Sequence, residues 1–324
     1  MRLLLVKMSS LGDVIHTLPA LGDALGAQPG LQVDWVVEEA FAEVPGWHPA
    51  VRRVIPVALR RWRRAPFAAW RSGEWARFRQ ALAERPYELV IDAQGLLKSA
   101  FVARLTGAPC AGYDRRSVRE PLAACAYHRR FPVTRECHAI ERTRQLFARA
   151  LDYTVPPGEP GYGIDRARLP AASAEGGVLF LHGTSRADKC WPEVSWIALG
   201  EQVARAGHTV LLPWGNEDER ARAQRIAHVL PAARVLPRMT LAEIAALLCA
   251  VRAGVAVDTG LGHLAAALGT PCVSLYGPTR IDLIGTRGAN QRQLRGTSDT
   301  LAELGAGAVW EVLHRMLQTD SRAC

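Results

Sequence analysis

The stretch from Gly254 to Gly277, GVAVDTGLGHLAAALGTPCVSLYG, leaves this chain few folds to choose from. An apolar run (Val255–Val257) meets a polar, glycine-rich corner of Asp258, Thr259, Gly260, Leu261, Gly262 and His263. A small-residue helix over Leu264–Leu268 and a second apolar run, Cys272–Tyr276, follow. Strand, loop, helix and strand in that order form one unit of an open parallel sheet. In such a sheet, anions bind where a loop leaves a strand's carboxyl end and starts a helix. Unpaired backbone N–H groups and the positive end of the helix dipole converge there. The corner is therefore expected to hold a phosphate.

The same alternation runs through the rest of the chain. Arg2–Lys7 reads as a buried strand, followed by Met8-Ser9-Ser10-Leu11-Gly12-Asp13 and a helical pattern through Leu25. Further strands are expected at Leu31–Val37, Val51–Val57 and Leu89–Ile91, the last running into Asp92-Ala93-Gln94-Gly95 and a helix over Leu96–Leu105. After a helix near His138–Leu151 comes VPPGEPGYG (Val155–Gly163), rich in Pro and Gly and without apolar periodicity. It suits a linker between domains 1–160 and 161–324. The second half restarts with strand Val178–Leu181, loop His182–Lys189, helix Pro192–Ala206, strand Thr209–Leu212, loop Pro213–Asp218 and a helix to Val229. Strand Arg234–Leu236 and helix Leu241–Ala250 lead back to the opening stretch, and Ser298–Leu317 reads as a terminal helix that packs back on the first domain. The fold class is α/β, with two domains of like design facing across a cleft.

Composition narrows the functional classes. With 324 residues, 49% hydrophobic, the chain has enough apolar side chain for two cores. The N-terminal MRLLLVKMSSLGD lacks the long apolar region of a signal peptide, so a cytosolic protein is expected. Seven cysteines (110, 125, 137, 190, 249, 272 and 324) include no C-x-x-C pair, which favours buried thiols over disulfides or a zinc cluster. Residues 1–150 carry 23 Lys and Arg against 14 Asp and Glu, while the remainder has 17 of each. The entire basic excess lies in the first half, which is thus expected to meet an anion: nucleic acid, a membrane surface or a phosphorylated substrate.

Several motifs carry chemistry. Asp258-Thr259-Gly260 matches an aspartic-protease triplet, but no second triplet exists and this one feeds a helix. Asp258 suits a helix cap, and Gly260 and Gly262 suit either a tight turn or close approach of phosphate to backbone. No P-loop and no strand-following G-x-G-x-x-G is present. Thr184, Ser185 and Lys189 precede Trp191-Pro192, a helix start, and suit either ordinary loop positions or a site offering hydroxyls and a cation to a diphosphate. Asn216-Glu217-Asp218-Glu219 follows a strand, where a carboxylate either accepts ribose hydroxyls or complements the helix dipole. Asp13, at the first corner, is either an N-terminal helical carboxylate or a general base, with His16 as an alternative base. Arg60, Arg61, Trp62, Arg63, Arg64, Phe67 and Trp70 suit a membrane-surface element, a solvated basic face or a nucleic-acid patch.

Together, KMSSLGDVIHTLPAL, DAQGLLKSA, HGTSRADKCWP, LPWGNEDE and VDTGLGHLAAALGTP with YGPT resemble the lipopolysaccharide heptosyltransferases of glycosyltransferase family 9. The resemblance implies a GT-B fold of two Rossmann-like domains, the first binding the acceptor and the second the nucleotide sugar. It implies inverting transfer of L-glycero-D-manno-heptose from ADP-heptose to the inner Kdo of Kdo2-lipid A, with no metal or other cofactor. An acceptor already carrying one heptose is the enzymatic alternative, and a basic nucleic-acid-binding protein the alternative of another class. A monomer is expected, peripheral on the cytoplasmic face of the inner membrane of a Gram-negative cell. Asp13 takes the place of the family's catalytic base. Thr184, Ser185 and Lys189, with Asp258, Thr259, Gly260, Leu261, Gly262 and His263, fall on the diphosphate site. Glu219 falls on the ribose-binding carboxylate, Met239 on an adenine-lining position, and Arg60, Arg61, Arg63 and Arg64 on acceptor-binding positions. HGTS stands where HATT is usual, and Glu217 offers a second carboxylate near the ribose.

Overall fold

The computed structural model describes residues 1–172, 176–296 and 299–320, with the side chains of 319 and 320 left aside. The chain divides into two units, residues 1–165 and 166–324, so the boundary lies a few residues beyond the Pro/Gly stretch. Among the described residues each unit holds one six-stranded sheet, parallel throughout.

In the first unit the strands are β1 (Arg2–Val6), β2 (Gln32–Glu38), β3 (Val51–Val57), β4 (Leu89–Asp92), β5 (Cys110–Tyr113) and β6 (Arg129–Phe131). Their order is β3-β2-β1-β4-β5-β6. The helices are α1 (Leu11–Ile15), α2 (Leu18–Ala27), α3 (Leu59–Arg64), α4 (Pro66–Arg71), α5 (Glu74–Ala83), α6 (Leu97–Arg104) and α7 (Ala139–Leu151). Beyond Arg2, central β1 is apolar because helices cover both sheet faces, and Leu3, Leu4, Leu5 and Val6 are wholly buried. Leu5 pairs in register with Trp35 on one side and Ile91 on the other. The helical pattern expected to run from Asp13 to Leu25 is instead split at His16 and Thr17, and α2 restarts with Pro19 in its first turn.

The second unit repeats the plan with β7 (Val178–Leu181), β8 (Val210–Leu212), β9 (Ala233–Val235), β10 (Ala253–Val257), β11 (Cys272–Tyr276) and β12 (Gln291–Arg295). Its helices are α8 (Glu193–Arg205), α9 (Glu217–Val229), α10 (Leu241–Ala250), α11 (Gly260–Ala267), α12 (Ile281–Ile284) and α13 (Ala306–Asp320). The order β12-β11-β10-β7-β8-β9 is the first unit's order counted from this unit's own first strand, the doubly wound Rossmann arrangement. Phe180, Trp191, Trp196 and Val255 form its core with Val309, Leu313 and Leu317 of α13. The terminal helix thus completes the core of its own unit; residues 297–298, at the start of the expected helix, lie outside the described residues.

Two expectations need correction. The helix after the Asp258 corner begins at Gly260 rather than Leu264, which places Gly260, Leu261, Gly262 and His263 in its first turn. The thiols are not uniformly buried: Cys110 and Cys272 sit inside strands, whereas Cys125 and Cys249 are exposed. Cys324 lies outside the described residues.

Candidate functional site

A doubly wound sheet opens a crevice where its winding reverses, at the carboxyl ends of its first and fourth strands. In the second unit these are β7 and β10, and the corners predicted from sequence leave both. Thr184 Oγ1 donates a hydrogen bond of 3.0 Å to the Asp258 carbonyl. Lys189 Nζ donates to Asp258 Oδ2 at 2.6 Å, and Thr279 Oγ1 donates to the same oxygen. Asp258 is nearly buried, so its charge is spent on organising these groups, and the ammonium of Lys189 is fixed in the crevice. Thr259 is the N-cap of α11 in extended conformation, and its hydroxyl makes no capping bond. The Gly262 N–H donates to the Thr259 carbonyl at 3.1 Å, while the Thr259 hydroxyl takes no part in capping, so the start of α11 has polar groups to offer an anion. Gly262 serves packing: a Cβ there would lie 3.2 Å from Ala256 Cβ on β10. Ser185 is exposed at the rim, Leu261 is half-buried and His263 is buried.

The next strand end along the sheet, that of β8, carries Glu219. Asn216 caps α9 by accepting the Glu219 N–H at 2.9 Å, and the Gly215 N–H donates to Glu219 Oε2 at 2.7 Å. The carboxylate leans over Gly183, where an added Cβ would lie 2.5 Å from Glu219 Oε1. Glu217 is exposed and pairs with Arg220, which leaves Glu219 as the carboxylate beside the β7 loop. Met239 is half-buried in the loop after β9, just ahead of α10, whose start is fixed by reciprocal bonds between Thr240 and Glu243. His182, at the end of β7, is buried, and burial together with the Arg222 charge pushes its imidazole down to about 4, so it stays neutral.

The first unit has the matching crevice between β1 and β4. Lys7 Nζ donates to the Ala93 carbonyl at 3.1 Å, and the N–H groups of Met8 and Ser9 donate to Gln94 Oε1 at 2.9 and 3.1 Å. Buried Asp92 holds that loop by accepting from the N–H groups of Gln94 and Gly95, from Ser99 Oγ and from Tyr127 OH. Asp13 sits in α1, and its Oδ2 accepts from the Ser10 N–H at 2.8 Å and Ser10 Oγ at 3.0 Å. Its Oδ1 lies 3.4 Å from Lys7 Nζ. Burial alone would raise the Asp13 carboxyl, but Lys7, both Ser10 bonds and the nearby Arg119 charge together hold it below the usual carboxylate range. Asp13 is thus ionised at neutral pH and partly open to a ligand. His16 is buried edge-on to His138, with ring centroids 5.4 Å apart, a packing position.

The arginine-rich segment forms α3 and α4 and is not uniform. Arg61 is fully engaged by Glu39, at 3.1 and 3.0 Å, and by Glu74 at 3.0 Å. Arg60, Arg63 and Arg64 instead line a pocket of about 760 Å³ with Trp62, Trp70, Trp75 and Lys98. Sequence reasoning gave Lys7, Gln94, Lys98, Arg119 and Thr279 no role. One signal was available: Lys7, Lys98 and Lys189 are the only lysines in a chain that otherwise uses arginine.

Two doubly wound units, one holding an ionised carboxylate and the other a glycine-rich helix start at its crevice, give the plan of a protein that handles a nucleotide-bearing ligand. Residues 75–313 match the family described as Glycosyltransferase family 9 (heptosyltransferase), and the chain belongs to that family. It is 58% identical over 298 residues to lipopolysaccharide heptosyltransferase 1 of Pseudomonas aeruginosa, covering 91% of this chain and 83% of that protein. The corresponding Escherichia coli protein is 48% identical over 317 residues, with 97% and 99% covered. The solved E. coli heptosyltransferase WaaC with ADP superposes with a TM-score of 0.92 at 46% identity, covering 98% of this chain and all of that one. The fold is accordingly GT-B, and the protein is a glycosyltransferase.

Proposed function

We propose that this protein transfers L-glycero-D-manno-heptose from ADP-heptose to the inner Kdo of Kdo2-lipid A, with inversion and without a metal, in assembly of the lipopolysaccharide core. The observation that carries this reading is the order of strand ends in the second unit. Met239 follows β9, Glu219 follows β8, the Thr184–Lys189 loop follows β7 and the Thr259–Gly260 corner follows β10, and these strands are consecutive neighbours. Three spacings of about 4.8 Å set the four positions along roughly 14 Å. Adenine, ribose and diphosphate are laid out in that order. A relative 45% identical was solved with ADP-2-deoxy-2-fluoro heptose, an analogue of the proposed donor. The choice of acceptor follows the relatives: identity to heptosyltransferase 1 proteins reaches 58%, against 25% to E. coli heptosyltransferase 2.

In the proposed mechanism Asp13 accepts the proton of the Kdo hydroxyl as its oxygen attacks the anomeric carbon from the face opposite ADP. The bond between that carbon and the diphosphate oxygen breaks, and its electron pair leaves with ADP. Lys189, Thr184, Ser185 and the α11 N-terminus balance the developing charge, which backbone dipoles and a fixed ammonium do without reorganising. Asp258, which also accepts from Thr279 Oγ1, holds Lys189 in place. Glu219 takes the ribose hydroxyls, and Met239 lies against adenine. Arg60, Arg63 and Arg64 receive the anionic acceptor, while Arg61, bound to Glu39 and Glu74, fixes α3. The protein works as a monomer on the cytoplasmic face of the inner membrane, and nucleic acid is not a partner.

Incubation with ADP-heptose and either Kdo2-lipid A or its monoheptosylated form, read by mass spectrometry, tests the reading. Elongation of the first alone is expected. Elongation of the second alone would assign the later transfer step, and salt-sensitive DNA binding without ADP-heptose affinity would overturn the enzymatic reading.

A further inference from the structure

Beside the acceptor pocket lies a surface that the transfer reaction leaves unused. Phe67 and Trp70 on α4 are 81% and 73% exposed, and Phe101 and Leu97 on α6 are 54% and 50% exposed. On each helix the pair is spaced to share one face, at i,i+3 and i,i+4. The two faces adjoin: Phe101 stacks on Trp75 with ring centroids 6.1 Å apart, and Trp75 lines the same pocket as Trp70 and Lys98. Four large apolar side chains held out in water on two neighbouring helices mark a contact surface.

Charge decides the kind of partner. Of the acids that touch α3, Glu38 is buried and accepts the Arg60 N–H at 3.0 Å, Glu39 and Glu74 are taken up by Arg61, and Glu74 also accepts from Trp62 Nε1 at 2.6 Å. The Arg61 bonds, with that of Trp62, hold the Glu74 carboxyl down at about 2, so it keeps its charge for them. Among the described residues, Arg63, Arg64, Arg71 and Lys98 have no acidic partner. Glu120 accepts the Leu97 N–H at 2.6 Å, but the cations without an acidic partner on α3, α4 and α6 flank the exposed aromatic and aliphatic side chains and complement an anionic bilayer, with rings at the level of the headgroups and cations on phosphate. No helix among the described residues is long and apolar enough to cross a membrane, so the contact is interfacial.

We infer that Phe67, Trp70, Leu97 and Phe101, framed by Arg63, Arg64, Arg71 and Lys98, dock this protein on an anionic lipid surface and bring the acceptor pocket to the membrane plane. The inference rests on the lipid-acceptor reading above. It places the contact on one face, one that binds bilayer in the absence of acceptor.

The test uses the full chain and flotation with phosphatidylglycerol–phosphatidylethanolamine vesicles that contain no lipid A. Wild type is expected to float with the vesicles and to be released by salt. The double variant Phe67→Ser/Leu97→Ser, altered only at exposed positions outside the pocket lining, should bind vesicles at least tenfold more weakly. It should still transfer heptose at the wild-type rate to a water-soluble Kdo acceptor stripped of acyl chains. Wild type that does not float, or a variant that floats equally well, overturns the docking surface. Failure of wild type to modify the soluble acceptor counts instead against the transferase reading, whatever the vesicles show.

Discussion

The carboxylate of Asp13 is pulled in two directions, and the balance sets how the protein should respond to pH. Burial favours the neutral acid, while Lys7, Ser10 and Arg119 favour the anion and prevail. A base must be ionised to accept a proton, so activity should persist at neutral pH and fall only as pH drops through this lowered pKa. Removing the Lys7 charge, as in Lys7→Met, leaves burial less opposed. The pKa rises, and the acidic limb of the pH profile of kcat/KM should move to higher pH; a limb that stays in place would separate Asp13 from the rate. Asp13→Asn should cut kcat by about 10²- to 10⁴-fold, the usual contribution of a positioned base, with ADP affinity unchanged by calorimetry. Gly183 offers a second residue-level test. In Gly183→Ala the new Cβ would meet the flexible end of Glu219 rather than backbone. The expected outcome is an unchanged melting temperature and an ADP affinity lower by about two- to fivefold, up to roughly 1 kcal/mol. At this scale the sequence marked the residue types and left their pairings hidden. Four arginines in a run look alike, and only the fold shows that Arg61 is taken up by Glu39 and Glu74. Lys7 opens the KMSSLGD motif yet showed no role of its own, because its partner Ala93 reaches it only when β1 lies beside β4.

At the scale of elements, β1 to β4 and β7 to β11 were located to within a residue or two, the central ones by apolar runs, because a strand covered on both faces must be apolar throughout. Central β5 (CAGY) was missed because its small residues make no apolar run, and two of the four edge strands were missed for the converse reason. β6 (RRF) and β12 (QRQLR) pair on one side only and carry largely polar side chains, so no hydrophobic pattern announces them. The first turn of α11 was hidden by its composition, since Gly260 and Gly262 are poor helix formers. Both are retained where the helix must start on the crevice and lie close to β10. Gly262→Val should therefore push α11 away from Ala256 and cost about 1–3 kcal/mol, the usual penalty of overpacking. Chemical denaturation should report that loss, and ADP binding should weaken with it, because the displaced N-terminus is part of the proposed diphosphate site.

At the scale of the whole molecule, the shared strand order explains why two halves without a visible sequence repeat use their crevices alike. In each, a lysine that follows the first strand of the sheet meets an aspartate of the crevice: Lys7 with Asp13, and Lys189 with Asp258. Each unit also has its own core, so a ligand held by one should protect that one. ADP at about one hundred times its Kd should stabilise by roughly 2.7 kcal/mol. Hydrogen exchange is expected to slow in residues 176–296 and to change little in residues 1–165. Equal protection of both units would mean that the nucleotide engages the first unit as well. The scarcity of lysine has a practical consequence. Amine-directed reagents ignore guanidinium groups, Lys7 is buried, and Lys189 is held by Asp258. Apart from the α-amine, exposed Lys98 is then the side chain that such a reagent reaches first. The native protein thus carries a built-in attachment point for a fluorophore or cross-linker at the lip of the proposed acceptor pocket, with no residue needing to be engineered.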